Sequence, residues 1–143
     1  MSNWTHVCGL IRIDSDFIDY DMTIKNTDKM IKQEITKNLK KNLPKGSEGP
    51  LKYRIIKTNT DPNSVVWGFV SVFGDLRDFE NPYKIKTWIE NFNKNLNFNI
   101  CNVRDLCIKV YDAQKELVII LSTVNQAETE RLQPEIITII KKY

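Results

Sequence analysis

The fold is decided by residues 65–73, VVWGFVSVF, the segment richest in β-branched and aromatic residues. These residue types favour a pleated, half-buried surface, so the segment predicts a strand. Its alternation places three aromatic residues on one face: Trp67, Phe69 and Phe73. The valines at 66, 70 and 72 lie on the other face. Two helices on one side of the sheet would leave the second apolar face uncovered, which indicates a partner or self-association.

Toward the N-terminus, two alternating segments and one amphipathic segment precede this strand. Trp4–Ile13 and Leu51–Lys57 are predicted to be strands. Between them, four apolar residues repeat at helical spacing: Ile31, Ile35, Leu39 and Leu43. Thr27 or Asp28 is the predicted N-cap of that helix. Pro44 and the glycine-bracketed loop at 46–50 end it.

Toward the C-terminus, Asn81-Pro82 predicts the start of a second helix, because proline is favoured at the first helical position. An apolar stripe continues that helix: Ile85, Trp88, Ile89, Phe92 and Leu96. Val103–Tyr111 and Leu117–Val124 are typical of a hairpin. The tail at 126–143 fits either a short amphipathic helix or a strand, and it is a candidate oligomerisation element.

This element order predicts a single α+β domain over residues 1–143. The expected fold is a ferredoxin-like βαββαβ antiparallel sheet with helices on one face, an extra C-terminal strand and the tail. The expected strand order is 4-1-3-2, with the fifth strand beside the fourth. In this arrangement the end of the third strand lies beside the starts of the first and second strands.

Composition sets the broad class of the protein. The chain has 143 residues, of which 41% are apolar and 27% charged, as in a globular domain. Its net charge of +3 is too small to argue for nucleic acid. The longest aliphatic run, residues 117–121, is far shorter than a membrane span. The start of the sequence does not resemble a signal peptide, and three cysteines suit a reducing compartment. We therefore expect a cytoplasmic location with no membrane partner.

Arginine is scarce beside lysine in this chain, and three arginines lie next to acidic residues. The predicted topology gathers one of them, Arg77, with other polar residues at one sheet edge. The candidate ligand-binding residues are Trp4, His6, Ser47, Glu48, Asp75, Arg77 and Asp78. A secondary polar cluster is expected at the opposite edge: Arg12, Asp14, Arg104 and Asp105.

Two interpretations of Arg77 remain open. Its guanidinium can donate two parallel hydrogen bonds to a phosphate or carboxylate of a ligand. Alternatively, it pairs with a neighbouring carboxylate of the chain, while Asp78 or Glu80 favours the positive end of the second helix. The first interpretation predicts an anionic, nucleotide-like ligand.

No metal or cofactor is predicted. His6 and Cys8 share a strand face, and Cys101 and Cys107 could complete a zinc set, but neither pair has C-x-x-C spacing. Buried thiols are therefore expected at all three cysteines. His6 with Glu48 or Asp75 also fits a general base. Because no nucleophile motif accompanies them, a small nucleotide or phosphoester hydrolase is an alternative to a non-enzymatic protein.

The aromatic strand face supports two further alternatives. Trp67-Gly68-Phe69-Val70-Ser71 partly resembles the third-strand motif of the RNA-recognition-motif family, in which aromatic residues stack on bases. The basic residue and glycine that precede that motif are replaced by valines at 65 and 66. Self-association into a homo-oligomer through Trp67, Phe69 and Phe73 is therefore favoured over an RNA-binding module.

Three segments together resemble small uncharacterised accessory proteins of bacteriophages and prophages of Gram-positive bacteria. They are Trp4–Val7, Gly46–Leu51 and Phe73–Phe79, and the similarity covers most of the first hundred residues. The resemblance implies a phage protein made in the bacterial host cytoplasm. It also implies a counter-defence protein or host-factor inhibitor that blocks a host protein or sequesters a nucleotide signal.

Overall fold

The computed structural model describes residues 3–15, 24–58, 66–79, 81–124 and 134–142. In chain order, the elements are β1 (Trp4–Asp14), α1 (Ile24–Leu39), β2 (Lys45–Gly46), β3 (Gly49–Pro50), β4 (Lys52–Lys57), β5 (Val66–Arg77), α2 (Tyr83–Asn95), β6 (Asn102–Asp112), β7 (Leu117–Thr123) and β8 (Ile136–Lys142). Six strands form one antiparallel sheet in the order β4-β5-β1-β6-β7-β8, and β2 and β3 form a separate hairpin.

The predicted ferredoxin-like βαββαβ fold class is wrong. The described residues form eight strands and only two helices, and the main sheet has six strands. The first strand does lie between β5 and β6, which are its expected neighbours. However, the β2–β3 hairpin and β8 are additions to the predicted pattern. The tail is a strand because Ile137 and Ile139 pair in register with Ser122 and Ile120 of β7; its residues 126–133 lie outside the described range.

Both helices pack against one face of the sheet. Helix α1 contributes Ile31, Ile35 and Leu39 to the core, and α2 contributes Ile85, Trp88, Ile89 and Phe92. The sheet contributes alternate residues, among them Val7, Ile11, Val70, Val72, Ile108 and Val110. The Trp88 indole N–H donates to the Leu39 carbonyl at 2.9 Å, which joins α2 to the end of α1. Neither described helix has the length and apolar composition needed to cross a membrane.

The predicted N-cap at Thr27 or Asp28 is wrong, because α1 begins at Ile24 and both residues lie inside it. The Asp28 carboxylate instead accepts hydrogen bonds from Lys57 and, at 2.9 Å, from the indole N–H of Trp67. Burial raises the pKa of Asp28. The hydrogen bonds from Lys57 and Trp67 and the charges of Lys57 and Lys32 outweigh burial, so the pKa lies below its ordinary value of 3.8.

Trp67 lies on the helix side of the sheet, so its predicted place beside Phe69 and Phe73 is wrong. The register between β1 and β5 shifts where Ile13 pairs with Gly68 and Asp14 pairs with Val66. Trp67 is thus the extra residue of a β-bulge, which reverses its side relative to simple alternation. Its side chain is buried in the core and bonded to α1.

Candidate functional site

The seven predicted ligand-binding residues come together at one corner of the sheet, which we call the polar corner. Strand β5 continues past Phe73 to Arg77, so Asp75 and Arg77 lie on a strand and not in a loop. His6 pairs in register with Asp75, and Trp4 pairs with Arg77. The loop of the β2–β3 hairpin carries the predicted Ser47 and Glu48. It is fixed to the end of β5 by a hydrogen bond from the Ser47 amide to the Arg77 carbonyl, 2.8 Å.

Glycine at position 46 permits this docking. A Cβ atom at Gly46 would lie 2.5 Å from the Arg77 carbonyl oxygen and 2.6 Å from the Arg77 nitrogen. Both are backbone atoms that cannot rotate away. The glycine-bracketed loop therefore allows close backbone approach, which places Glu48 within reach of Arg77.

Arg77 bonds to carboxylates of the chain itself. Its Nη1 donates to Glu48 Oε1 at 2.9 Å, and its Nε lies 3.7 Å from Asp78 Oδ2. Ser47 Oγ donates to the same Asp78 oxygen at 3.3 Å. The polar corner thus holds three carboxylates, those of Glu48, Asp75 and Asp78, around one guanidinium. An anion would face this excess of negative charge, so the corner suits a cationic group better than a phosphate.

His6 forms a second pair in the polar corner. Its Nδ1 lies 2.5 Å from Asp75 Oδ1, and its ring stacks on Tyr111 with centroids 6.0 Å apart and planes 16° apart. A carboxylate that orients an imidazole is one part of general-base chemistry. Among the hydrogen bonds of the described residues, His6 has none to a serine, threonine or cysteine. Within the part of the chain that the structure describes, the pair orients the ring and no nucleophile is hydrogen-bonded to it.

The secondary polar cluster is only partly assembled. Arg12 donates from Nε to Asp14 Oδ1 at 2.9 Å and from Nη2 to Asp14 Oδ2 at 3.3 Å, and Asp14 is buried. Asp105 pairs in register with Arg12. Arg104 is the extra residue where the β1–β6 register shifts, and it is exposed. The Arg12–Asp14 pair anchors the end of β1, which is a structural role.

The face opposite the helices, which we call the open face, is not covered by any described element. Outside the polar corner it carries cations on β1, β4 and β6, which are Arg12, Lys52, Arg54 and Lys109, and one carboxylate, that of Asp105 opposite Arg12. Exposed apolar side chains lie among them: Leu10, Ile56 and Phe73, with Ile137 and Ile139 on β8. Leu10 at the centre is 51% exposed and Phe73 is 42% exposed. Central, exposed apolar side chains on a broad sheet mark an interaction surface.

The prediction of three buried thiols is wrong for Cys8 and Cys107, which are exposed on the open face. Only Cys101 is buried. Burial first, and the nearby Glu34 second, raise the pKa of the Cys101 thiol to about 12. Cys101 is therefore an unreactive core residue, while the other two thiols report on the open face.

Four residues of the open face are not among the site residues predicted from the sequence: Leu10, Lys52, Arg54 and Tyr111. Simple alternation along β1, β4 and β6 would have grouped them, because each lies on the same face as His6 or Phe73. The predicted strand order already sets these strands on the two sides of the β5–β1 pair, so the face could have been assembled from alternation along each strand.

No protein-family model, curated protein or solved structure matches this chain.

Proposed function

We propose that this protein is a non-enzymatic binding protein that holds an acidic protein partner on its open face. The observation that carries the proposal is the exposed apolar centre at Leu10 and Phe73 with the cations Lys52, Arg54 and Lys109 around it. The apolar centre supplies area to be desolvated, and the cations select an acidic surface. The resemblance to phage accessory proteins makes a bacterial host factor, such as an immune effector, the expected partner.

A protein partner fits this face better than RNA or a nucleotide. The residue at its centre is the aliphatic Leu10, Trp67 is buried on the other side, and Phe69 and Tyr111 on this face are half-buried, so a base finds less aromatic surface to stack on. In the polar corner, the Arg77 guanidinium already contacts Glu48 and Asp78. Sequestration of a nucleotide-like ligand there remains a separate prediction, and it requires Arg77 to leave these carboxylates.

The test compares Leu10→Glu with a matched control, Phe98→Glu. Phe98 is 60% exposed and follows α2, away from the open face. Wild-type protein and both variants are used to capture partners from a bacterial host, and the captured protein is then purified for titration. We expect Leu10→Glu to weaken binding at least about tenfold, because a buried unpaired carboxylate costs more than 1.4 kcal/mol. Phe98→Glu should bind like the wild type.

Three outcomes would contradict the proposal. Equal partner affinity of wild type and Leu10→Glu would remove the open face from the interaction. Binding of single-stranded RNA that Phe73→Ala abolishes would favour an RNA module. Thermal stabilisation by a nucleotide that Arg77→Ala abolishes would move the function to the polar corner.

A hydrolase is kept as a second candidate because the His6–Asp75 pair is observed. Turnover of a nucleotide or phosphoester that is lost in His6→Ala and Asp75→Ala would establish it. The binding proposal predicts no turnover by the wild type and unchanged partner affinity in His6→Ala.

A further inference from the structure

Strand β8 is an edge strand with little to prevent further pairing. Among the described residues it pairs only with β7, and its outer side has no neighbouring strand. Residues 136–140 read Ile-Ile-Thr-Ile-Ile and carry no charge. The opposite edge, β4, carries Lys52, Arg54 and Lys57 in its six residues. Charged residues protect sheet edges from pairing, so β4 is protected and the centre of β8 is not.

The hydrogen-bonding groups of β8 divide between its two sides. The Val124 amide donates to the Glu135 carbonyl at 3.0 Å, which makes Glu135 the first residue bonded toward β7. Because an antiparallel ladder alternates, Ile137, Ile139 and Lys141 also bond toward β7. The backbone groups of residues 136, 138 and 140 therefore point outward, away from the sheet.

The sequence of β8 is complementary to itself about Thr138. In an antiparallel pair centred there, Ile136 lies opposite Ile140, Ile137 opposite Ile139, and Glu135 opposite Lys141. All the outward-facing backbone groups of residues 136, 138 and 140 then find partners, in about six hydrogen bonds. The apolar residues brought together include three that are 37–51% exposed in the single chain: Ile137, Ile139 and Ile140.

The residue types at and around Thr138 also favour this centre. A two-fold axis at Thr138 sets the two threonines directly opposite each other, where hydroxyls pair across strands. A centre at Ile139 would place Lys141 opposite Ile137, and a centre at Ile137 would place Glu135 opposite Ile139. Of these three registers, only the one centred on Thr138 sets Glu135 opposite Lys141.

We propose that two copies of this chain form a dimer through antiparallel pairing of their β8 strands, centred on Thr138. The axis is perpendicular to the sheet, so each six-stranded sheet continues into the other and the two open faces lie on the same side. Leu10 and Phe73 stay exposed in this dimer. It therefore presents two partner-binding faces, and its existence does not depend on the function proposed above.

The test is the mass of the protein in solution, measured by sedimentation equilibrium on four charge variants. Glu135→Lys and Lys141→Glu each place like charges opposite one another at both ends of the pair. We expect each to weaken the dimer about tenfold, and the double variant Glu135→Lys/Lys141→Glu to restore wild-type affinity. Lys115→Glu is the matched control in the exposed β6–β7 turn and should dimerise like the wild type.

Thr138→Pro tests the backbone ladder directly. Its nitrogen points outward, so proline removes the central donor while the β7–β8 ladder keeps its bonds. We expect a folded monomer by circular dichroism and sedimentation. A wild-type protein that is monomeric at about 0.5 mM would overturn the proposal. So would a dimer that survives Thr138→Pro, or single charge variants that the double variant does not rescue.

Discussion

Replacing Asp28 by alanine should destabilise the protein more than its position on a helix surface suggests. The Asp28 carboxylate accepts the indole N–H of Trp67 at 2.9 Å and pairs with Lys57. Trp67 is only 6% exposed, so its N–H has no replacement partner in water when the carboxylate is removed. This contact holds Trp67 on the helix side of the sheet, away from the open face.

The expected loss is about 2–3 kcal/mol in the free energy of unfolding. The unpaired buried N–H accounts for about 1–3 kcal/mol. The ion pair adds about 0–1 kcal/mol, because the Lys57 side chain is 37% exposed and solvent screens its charge. For a domain of this size the melting temperature should fall by about 5–10 °C. Lys57→Ala, which leaves the Trp67 hydrogen bond in place, should cost about 1 kcal/mol or less.

Urea unfolding followed by circular dichroism measures these differences. Asp28→Asn should lose about 1 kcal/mol, since an amide oxygen still accepts the indole N–H. Because the pKa of Asp28 is lowered in the folded state, its ionised form stabilises the fold above pH 3.8. That contribution disappears as the pH falls through the folded pKa, so wild type and Asp28→Asn should converge there. An Asp28→Ala protein within about 0.5 kcal/mol of wild type would refute the placement of Trp67 on the helix side.

Three further predictions concern the interior, the thiols and the hairpin. Glu34 is buried and accepts two amide N–H groups, so Glu34→Ala should lower the free energy of unfolding by about 2 kcal/mol in urea titrations; unchanged stability would contradict this. At pH 8 a thiol reagent should modify Cys8 and Cys107 quickly and Cys101 only after denaturation; three fast thiols would be inconsistent with the burial described. Gly46→Ala should destabilise the protein by about 1–3 kcal/mol, because its Cβ would clash with the backbone of β5; a neutral effect in thermal unfolding would argue against the docked hairpin.

The sequence predicts elements well where one periodicity dominates. The Asn81-Pro82 signal and the apolar stripe after it locate α2, observed at Tyr83–Asn95. The expected pairing of the first and third long strands correctly brings His6 to Asp75 and the hairpin loop to Arg77. These contacts follow from strand order, which local patterns are sufficient to suggest.

The errors come from interactions between distant segments. Trp67 is placed on the wrong face because a bulge opposite Asp14 inserts one residue, and no local signal marks it. Asp28 resembles an N-cap but serves Trp67 and Lys57 from inside α1. The isoleucines of β8 fit a helix and a strand equally well, and pairing with β7 decides between them. The main sheet therefore has six strands, and β8 forms the edge opposite β4.

Thiol footprinting of the partner complex tests the central claim most directly, because Cys8 and Cys107 lie on the open face beside Leu10. The alkylation rates of both thiols are measured with and without a saturating amount of the partner that the wild type captures. If the partner covers the open face, both rates should fall at least about tenfold while the fold is unchanged. Unchanged rates for both thiols in the saturated complex would contradict the assignment of the open face as the binding surface.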